Sequence, residues 1–339
     1  MVSHNLIWTT ISSLLAITAV FASVTAHDSN RQLRSVTNNN IHLTARSLIE
    51  NAGLCASLVT PFGYKCEEHE VTTGALVTTQ DGYILSLQRI PEGRNGGDGG
   101  EKKQPVFLQH GVLMGTLIAL ASFSEGRLVD KLKSAALLSP VAYLAHMSTP
   151  IGIFCAKAFV GEVVTDLLGV TEFNPKAEIV TNFLKTICHG PLNCYELMES
   201  YTGDNCCLNA SGIQKFLKYE PQPTSTRTMV HLAQIFRVGV LAKYNFSEEE
   251  NMKRYGQSTP PVYKLPSIPR SLPLFISYGG QDSLADSSDV ALLLNDLKLH
   301  DRDKLTVHFV KDYAHADFVM GVSAKQVVYN SLIAFLDRN

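Results

Sequence analysis

The 339-residue chain is poor in several features that mark specialised proteins. It holds a single tryptophan, Trp8, and only 18% of its residues are charged. Lys plus Arg number 29 against 31 Asp plus Glu, a net charge of −2, and no like-charge run exceeds three residues. The basic stripe that a nucleic-acid partner requires is therefore missing. There is no internal repeat and no low-complexity block, and 45% apolar content excludes disordered, collagenous and coiled-coil chains. The H-E-x-x-H helix, the phosphate-binding P-loop and the dinucleotide glycine fingerprint are all absent, so nothing calls for a metal or another cofactor. The glycine-dense stretch 91–103 (PEGRNGGDGGEKK) has no Lys-Ser/Thr pair after it and reads as a solvated linker.

Beyond residue 26 no stretch is apolar enough to span a bilayer. Residues 1–26 carry no Asp, Glu, Lys or Arg, run apolar from Leu6 to Val24, and end in Val24-Thr25-Ala26. That is the pattern of a cleaved signal peptide. A membrane anchor is the rival reading, but Thr9, Thr10, Ser12, Ser13 and Thr18 dilute the run. The mature chain would begin near His27 in the secretory pathway, ending outside the cell or in a vacuole- or lysosome-like compartment. There paired cysteines oxidise. Of seven cysteines, Cys188, Cys194, Cys206 and Cys207 crowd into twenty residues without the C-x2-C knuckle of zinc modules, which favours disulfides. Cys55 and Cys66 make a local pair, leaving Cys155 as the odd thiol. The sequons at Asn209 and Asn245 are glycosylation candidates suited to the same compartment.

Residues 27–53 read as a flexible lead-in. A core segment over 54–141 opens with a hairpin, 70–78 against 82–90, turning at Gln80-Asp81. The apolar run 105–110 (PVFLQH) suits a buried strand, 116–123 a helix, and 133–140 (KSAALLSP) a second buried strand. Residues 142–266 show helical periodicity, the cysteine cluster and no convincing strands, which suggests an inserted helical cap. Strand and helix then alternate over 267–339. A strand at 272–278 ends in Gly279-Gly280, a helix starts near Ser287, a strand covers 304–310, and a helix over 323–336 carries a Ser323…Gln326 capping box. Such alternation on both sides of an insert predicts an α/β fold with a mainly parallel sheet.

In open α/β sheets, reactive groups sit on loops beyond the carboxyl ends of strands. Asp282 follows one strand and His315 the next, and an Asp then a His on successive strand ends form the second half of a hydrolase triad. Either residue alone is more often structural. The expected nucleophile elbow, G-x-S-x-G between strand and helix, has one candidate: Gly111-Val112-Leu113-Met114-Gly115. Its central residue is Leu113, which has no nucleophilic atom. Ser139, at a strand end but followed by Pro140, and Ser283, beside Asp282, read as polar residues rather than replacement nucleophiles.

The segments DGYILSLQRIPEG, PVFLQHG, TLIALA, AALLSPVAYL, NCCLNAS, YEPQPTST, YGQSTPP, LFISYGGQDSLAD and DYAHADFVMG resemble the acid or gastric lipase family in its plant-type branch, over nearly all of residues 54–339. The resemblance implies an α/β-hydrolase with a lid over an apolar acyl pocket, acting on a lipid ester, acylglycerol, at a lipid interface. It implies Asp282 and His315 as triad acid and base, the Val112 amide as an oxyanion-hole donor, and 116–121 as the start of the helix after the nucleophile. A full family member has a helix, a strand, another helix and the nucleophile strand between Met114 and Gly115, on the order of 50 residues or more. Here those central strands and the serine have no counterpart. The expectation is a lipase architecture without its nucleophile, inactive as written; the alternative is a lipid-binding or unstable relative of a lipase.

Overall fold

The computed structural model describes residues 55–70, 86–92, 106–108, 115–158, 160–162, 169, 172–173, 194–219 and 224–339. The signal-peptide segment, Val112 and Leu113 lie outside them. The chain divides into two compact units, one covering Gln32–Leu108 and the other Gln109–Asn339 together with the first 31 residues.

In the smaller unit, β1 (Glu67–Glu70) pairs antiparallel with β2 (Ser86–Arg89), Glu67 opposite Arg89 and Glu70 opposite Ser86. Of the hairpin expected over 70–78 and 82–90, Glu70 and residues 86–89 lie in this pair, while residues 71–85, with the turn at Gln80-Asp81, lie outside the described residues. Cys55 and Cys66 are joined in a disulfide, as their spacing suggested. Within the run 105–110 only residues 106–108 are described, and these depart from expectation. Val106, Phe107 and Leu108 form no strand and are 61%, 71% and 86% exposed. A strand needs hydrogen-bonded neighbours as well as an apolar pattern, and among the described residues none is paired to these three.

The larger unit is built on a parallel sheet in the order β3 (Ala135–Leu138), β6 (Leu274–Gly279), β7 (Leu305–Val310). Leu274, Phe275, Ile276 and Ser277 of the middle strand are all essentially inaccessible, as a strand covered on both faces must be. Alternation splits them. Leu274 and Ile276 join a core with Leu117, Leu120 and Phe123 of helix α1 (Gly115–Ser124) and with Val290 and Leu293 of α7 (Ser287–Asp296). Phe275 packs on the other face against Phe335 of the closing helix α9 (Asn330–Arg338), ring centroids 5.5 Å apart. Each such side chain removed from water contributes about 1.5–3 kcal/mol. The Asp286 side chain caps α7 by accepting from the Ser288 N–H.

The described residues of 142–266 include the helices α2 (Pro150–Lys157), α3 (Cys194–Thr202), α4 (Ala210–Tyr219), α5 (Thr226–Val238) and α6 (Glu248–Tyr255). Their only described strands are the two-residue β4 (Glu172–Phe173) and β5 (Thr224–Ser225), paired with each other. Cys206 and Cys207 form a disulfide between adjacent residues. The capping box at Ser323 does not form. The Ser323 hydroxyl instead meets the Tyr313 phenol at 2.7 Å, and the last helix begins as a π-helical turn, Lys325–Tyr329, with no side-chain cap. Among the described residues no helix is long and apolar enough to cross a membrane.

Candidate active site

The loops that leave β6 and β7 run against each other. The Gly280 N–H donates to the Val310 carbonyl at 3.0 Å and the Gln281 N–H to the Tyr313 carbonyl at 3.0 Å. A Cβ on Gly279 would lie 2.0 Å from the Tyr313 carbonyl oxygen, so the Gly279-Gly280 pair is what permits this approach. The loops also bring Asp282 and His315 together, two residues chosen from sequence and 33 positions apart. His315 Nδ1 lies 3.0 Å from Asp282 Oδ2. A carboxylate only accepts, so the proton sits on Nδ1 and the neutral ring keeps Nε2 as its basic atom.

Asp282 is buried, and a quarter of the His315 side chain is exposed. Burial alone pushes the Asp282 carboxyl up. The charge of His315, its hydrogen bond, the Ser139 hydroxyl and the Ala285 N–H outweigh it, and the net direction is down. For His315 burial pulls down, but the charge and hydrogen bond of Asp282 win, and it is raised above 6.5. The Asp282 Oδ1 accepts from Leu284 N–H at 2.9 Å and Ala285 N–H at 2.8 Å.

A short segment after α3 braces both loops. The Thr202 carbonyl accepts the His315 N–H at 3.0 Å and the Ser283 N–H at 3.4 Å. Gly203, with φ +97°, lies where a Cβ would come 2.0 Å from the Gln281 carbonyl oxygen. Asp317, fully buried, accepts N–H groups of Ala314, Cys207 and Cys206 at 2.9, 3.0 and 3.2 Å. Its carboxyl is raised by burial, only partly offset by these bonds. Two sulfurs and a carboxylate thus sit close together at Cys206, Cys207 and Asp317. The sulfurs are bonded to each other and the carboxylate is engaged, so they do not form a cation's ligand set.

The residue that sequence reasoning set aside is Ser139. It directly follows β3 and its hydroxyl donates to Asp282 Oδ2, lying 3.1 Å from His315 Nδ1. The available signal was its place at the carboxyl end of a buried strand, LLSP. Ser283 stays a loop residue whose carbonyl accepts from the Ser148 N–H. Asn209 and Asn245 are both exposed. Asn209 Oδ1 accepts the Gly212 N–H and Asn245 Oδ1 an amide proton of Asn251. A surface cavity of about 540 Å³, lined in part by Lys133, Pro273, Lys304 and Arg338, lies at the amino-terminal ends of the strands, away from Asp282 and His315. It is not the apolar acyl pocket expected from the resemblance.

A family model described as a partial alpha/beta-hydrolase lipase region matches residues 55–117. Triacylglycerol lipase 2 of Arabidopsis thaliana is 46% identical, over 84% of this chain and 88% of the relative. Triacylglycerol lipase 1 of the same plant is 29% identical over 83% and 90%, and the gastric triacylglycerol lipase of Rattus norvegicus 26% over 83% and 91%.

Proposed function

The chain belongs to the triacylglycerol lipase family, and from that premise we propose that Asp282 and His315 are the acid–base pair of an acylglycerol ester hydrolase whose nucleophile this chain does not supply. The observation that carries the proposal is the 3.0 Å contact between them at the ends of adjacent parallel strands. In such a site the imidazole Nε2 takes the proton of a serine as it attacks the ester carbonyl, then returns it to the departing alcohol. Asp282 holds the ring and stabilises its charged form. Leu113 occupies the elbow slot and can do none of this.

The alignments support a missing segment. Only about 285 residues of this chain (84% of 339) take part in an alignment 375 positions long, so about 90 residues of Triacylglycerol lipase 2 face no residue here. That span exceeds the roughly 50 residues that two strands and two helices need.

The test has two parts. The purified chain, on a chromogenic short-chain ester and on a triacylglycerol emulsion, should turn over no faster than its His315→Ala variant. Inserting the unmatched segment of the Arabidopsis relative between Met114 and Gly115 should create esterase activity that His315→Ala or Asp282→Asn abolishes. A folded insertion variant whose activity ignores both changes would remove the acid–base assignment. Activity of the uninserted chain that depended on His315 would show a recruited nucleophile.

We further read residues 1–26 as a cleaved leader and Asn209 and Asn245 as glycan acceptors. The two disulfides among the described residues support an oxidising compartment. Intact mass of secreted protein should show a chain starting near His27, lacking Trp8, and losing mass on enzymatic deglycosylation.

A further inference from the structure

A buried serine with a left-handed backbone calls for a reason. Among the described residues only Leu128 and Ser139 combine a side chain with positive φ, and Ser139, at +49°, is 4% exposed. Such outliers persist where the surroundings enforce them, and they cluster at functional sites. The Ser139 N–H donates to the Ser277 carbonyl at 2.8 Å, continuing the β3–β6 ladder one step past the strand. The backbone is thus fixed, and the hydroxyl ends against Asp282.

We propose that Ser139 is a positioning residue for the Asp282–His315 pair, its hydroxyl holding the same carboxylate oxygen that the imidazole engages. The proposal rests on the reading of Asp282 and His315 as the acid–base pair. With Ser139, all the lone-pair positions of Asp282 are used. Oδ1 takes the Leu284 and Ala285 N–H groups, while Oδ2 takes His315 Nδ1–H and the Ser139 O–H. The carboxylate cannot rotate without breaking several of these bonds, and the ring is aimed by the carboxylate. Ser139 is not itself a nucleophile. It touches Nδ1, whose proton is committed to Asp282, whereas a general base would have to accept its proton at Nε2.

The hydroxyl also shares the carboxylate charge. Its removal leaves more of that charge for the imidazolium, so His315 should hold its proton more tightly. Among the described residues no other charged group competes closely. The Thr202 carbonyl on the His315 N–H is neutral, and Asp317 is occupied by the Ala314, Cys206 and Cys207 N–H groups.

The experiment titrates the His315 ring by NMR in the full chain and in Ser139→Ala, Ser139→Gly and Asp282→Asn. Glycine suits φ +49° and alanine does not, so the two Ser139 variants should differ in stability yet raise the His315 proton affinity alike, by about tenfold or more, the scale of a lost hydrogen bond to a charged group. Asp282→Asn should lower it. An unchanged or lowered affinity in both Ser139 variants, or a rise in alanine alone, would overturn the positioning role while leaving the pair intact. An Asp282→Asn variant that left His315 untouched would remove the pair, and this proposal with it.

Discussion

At His315 and Asp282 the two protonation equilibria lean on each other. His315 is raised above its ordinary 6.5, so its contribution to stability is complete below that value and fades as pH climbs through the folded one. Asp282 is lowered below 3.8, so its contribution is complete above that value and fades as pH falls through the folded one. Together they favour the folded state most between about 4 and 6.5. Other histidines overlay this. His146, held 2.7 Å from the buried Asp289, is also raised, while burial lowers His231 and His308 and works in the opposite sense. A difference measurement isolates the pair. His315→Gln should destabilise the chain more at pH 5 than at pH 9 in urea titrations, and a pH-independent difference would mean that the ion pair does not form. The pair was legible because each residue follows an apolar strand directly. Ser139 was not, since its role depends on a backbone turn that no local pattern announces.

Among the elements, those whose apolar runs sit between clear punctuation were readable. The middle strand Leu274–Gly279 is bounded by Pro273 and Gly280, and the helix Ser287–Asp296 by the Asp286 cap. Ser323 has the right spacing for a capping box, yet the Tyr313 phenol claims its hydroxyl, and tertiary contact overrides local chemistry. The brace after α3 was equally invisible, because what matters at Gly203 is the Gln281 carbonyl from a distant loop. Gly203→Ala would place a Cβ on that backbone oxygen at a φ of +97° and force the brace off the Asp282 loop. We expect a loss of at least about 2–3 kcal/mol, the scale of combined strain and overpacking. The His315 ring resonances should broaden or shift, since the Thr202 carbonyl holds its backbone N–H. Ser225→Ala is a milder control. It removes only the hydroxyl that accepts from the Arg227 N–H at the start of α5 and should cost about 1 kcal/mol without touching those resonances.

For the molecule as a whole the sheet is the weak point. Its described strands number three, and β3, where a further parallel strand would pair, has a neighbour only on its β6 side among the described residues. Val106, Phe107 and Leu108, the run whose pattern asked for a buried strand, are exposed. An unburied apolar run favours association with other chains, and so does any strand edge left unpaired. If the gap proposed between Met114 and Gly115 removes the centre of the sheet, the chain should sit near the lower end of the usual stability range, about 5 kcal/mol. Its urea slope should also fall below that of the same chain carrying the inserted segment, because less surface is buried to begin with. Light scattering should show association that grows with concentration and is suppressed by the insertion. If the uninserted chain instead stayed monomeric, with one cooperative transition and a slope proportionate to its length, the remaining strands would have closed into a complete core. The segment proposed to be missing would then be dispensable for folding, whatever it supplies to catalysis.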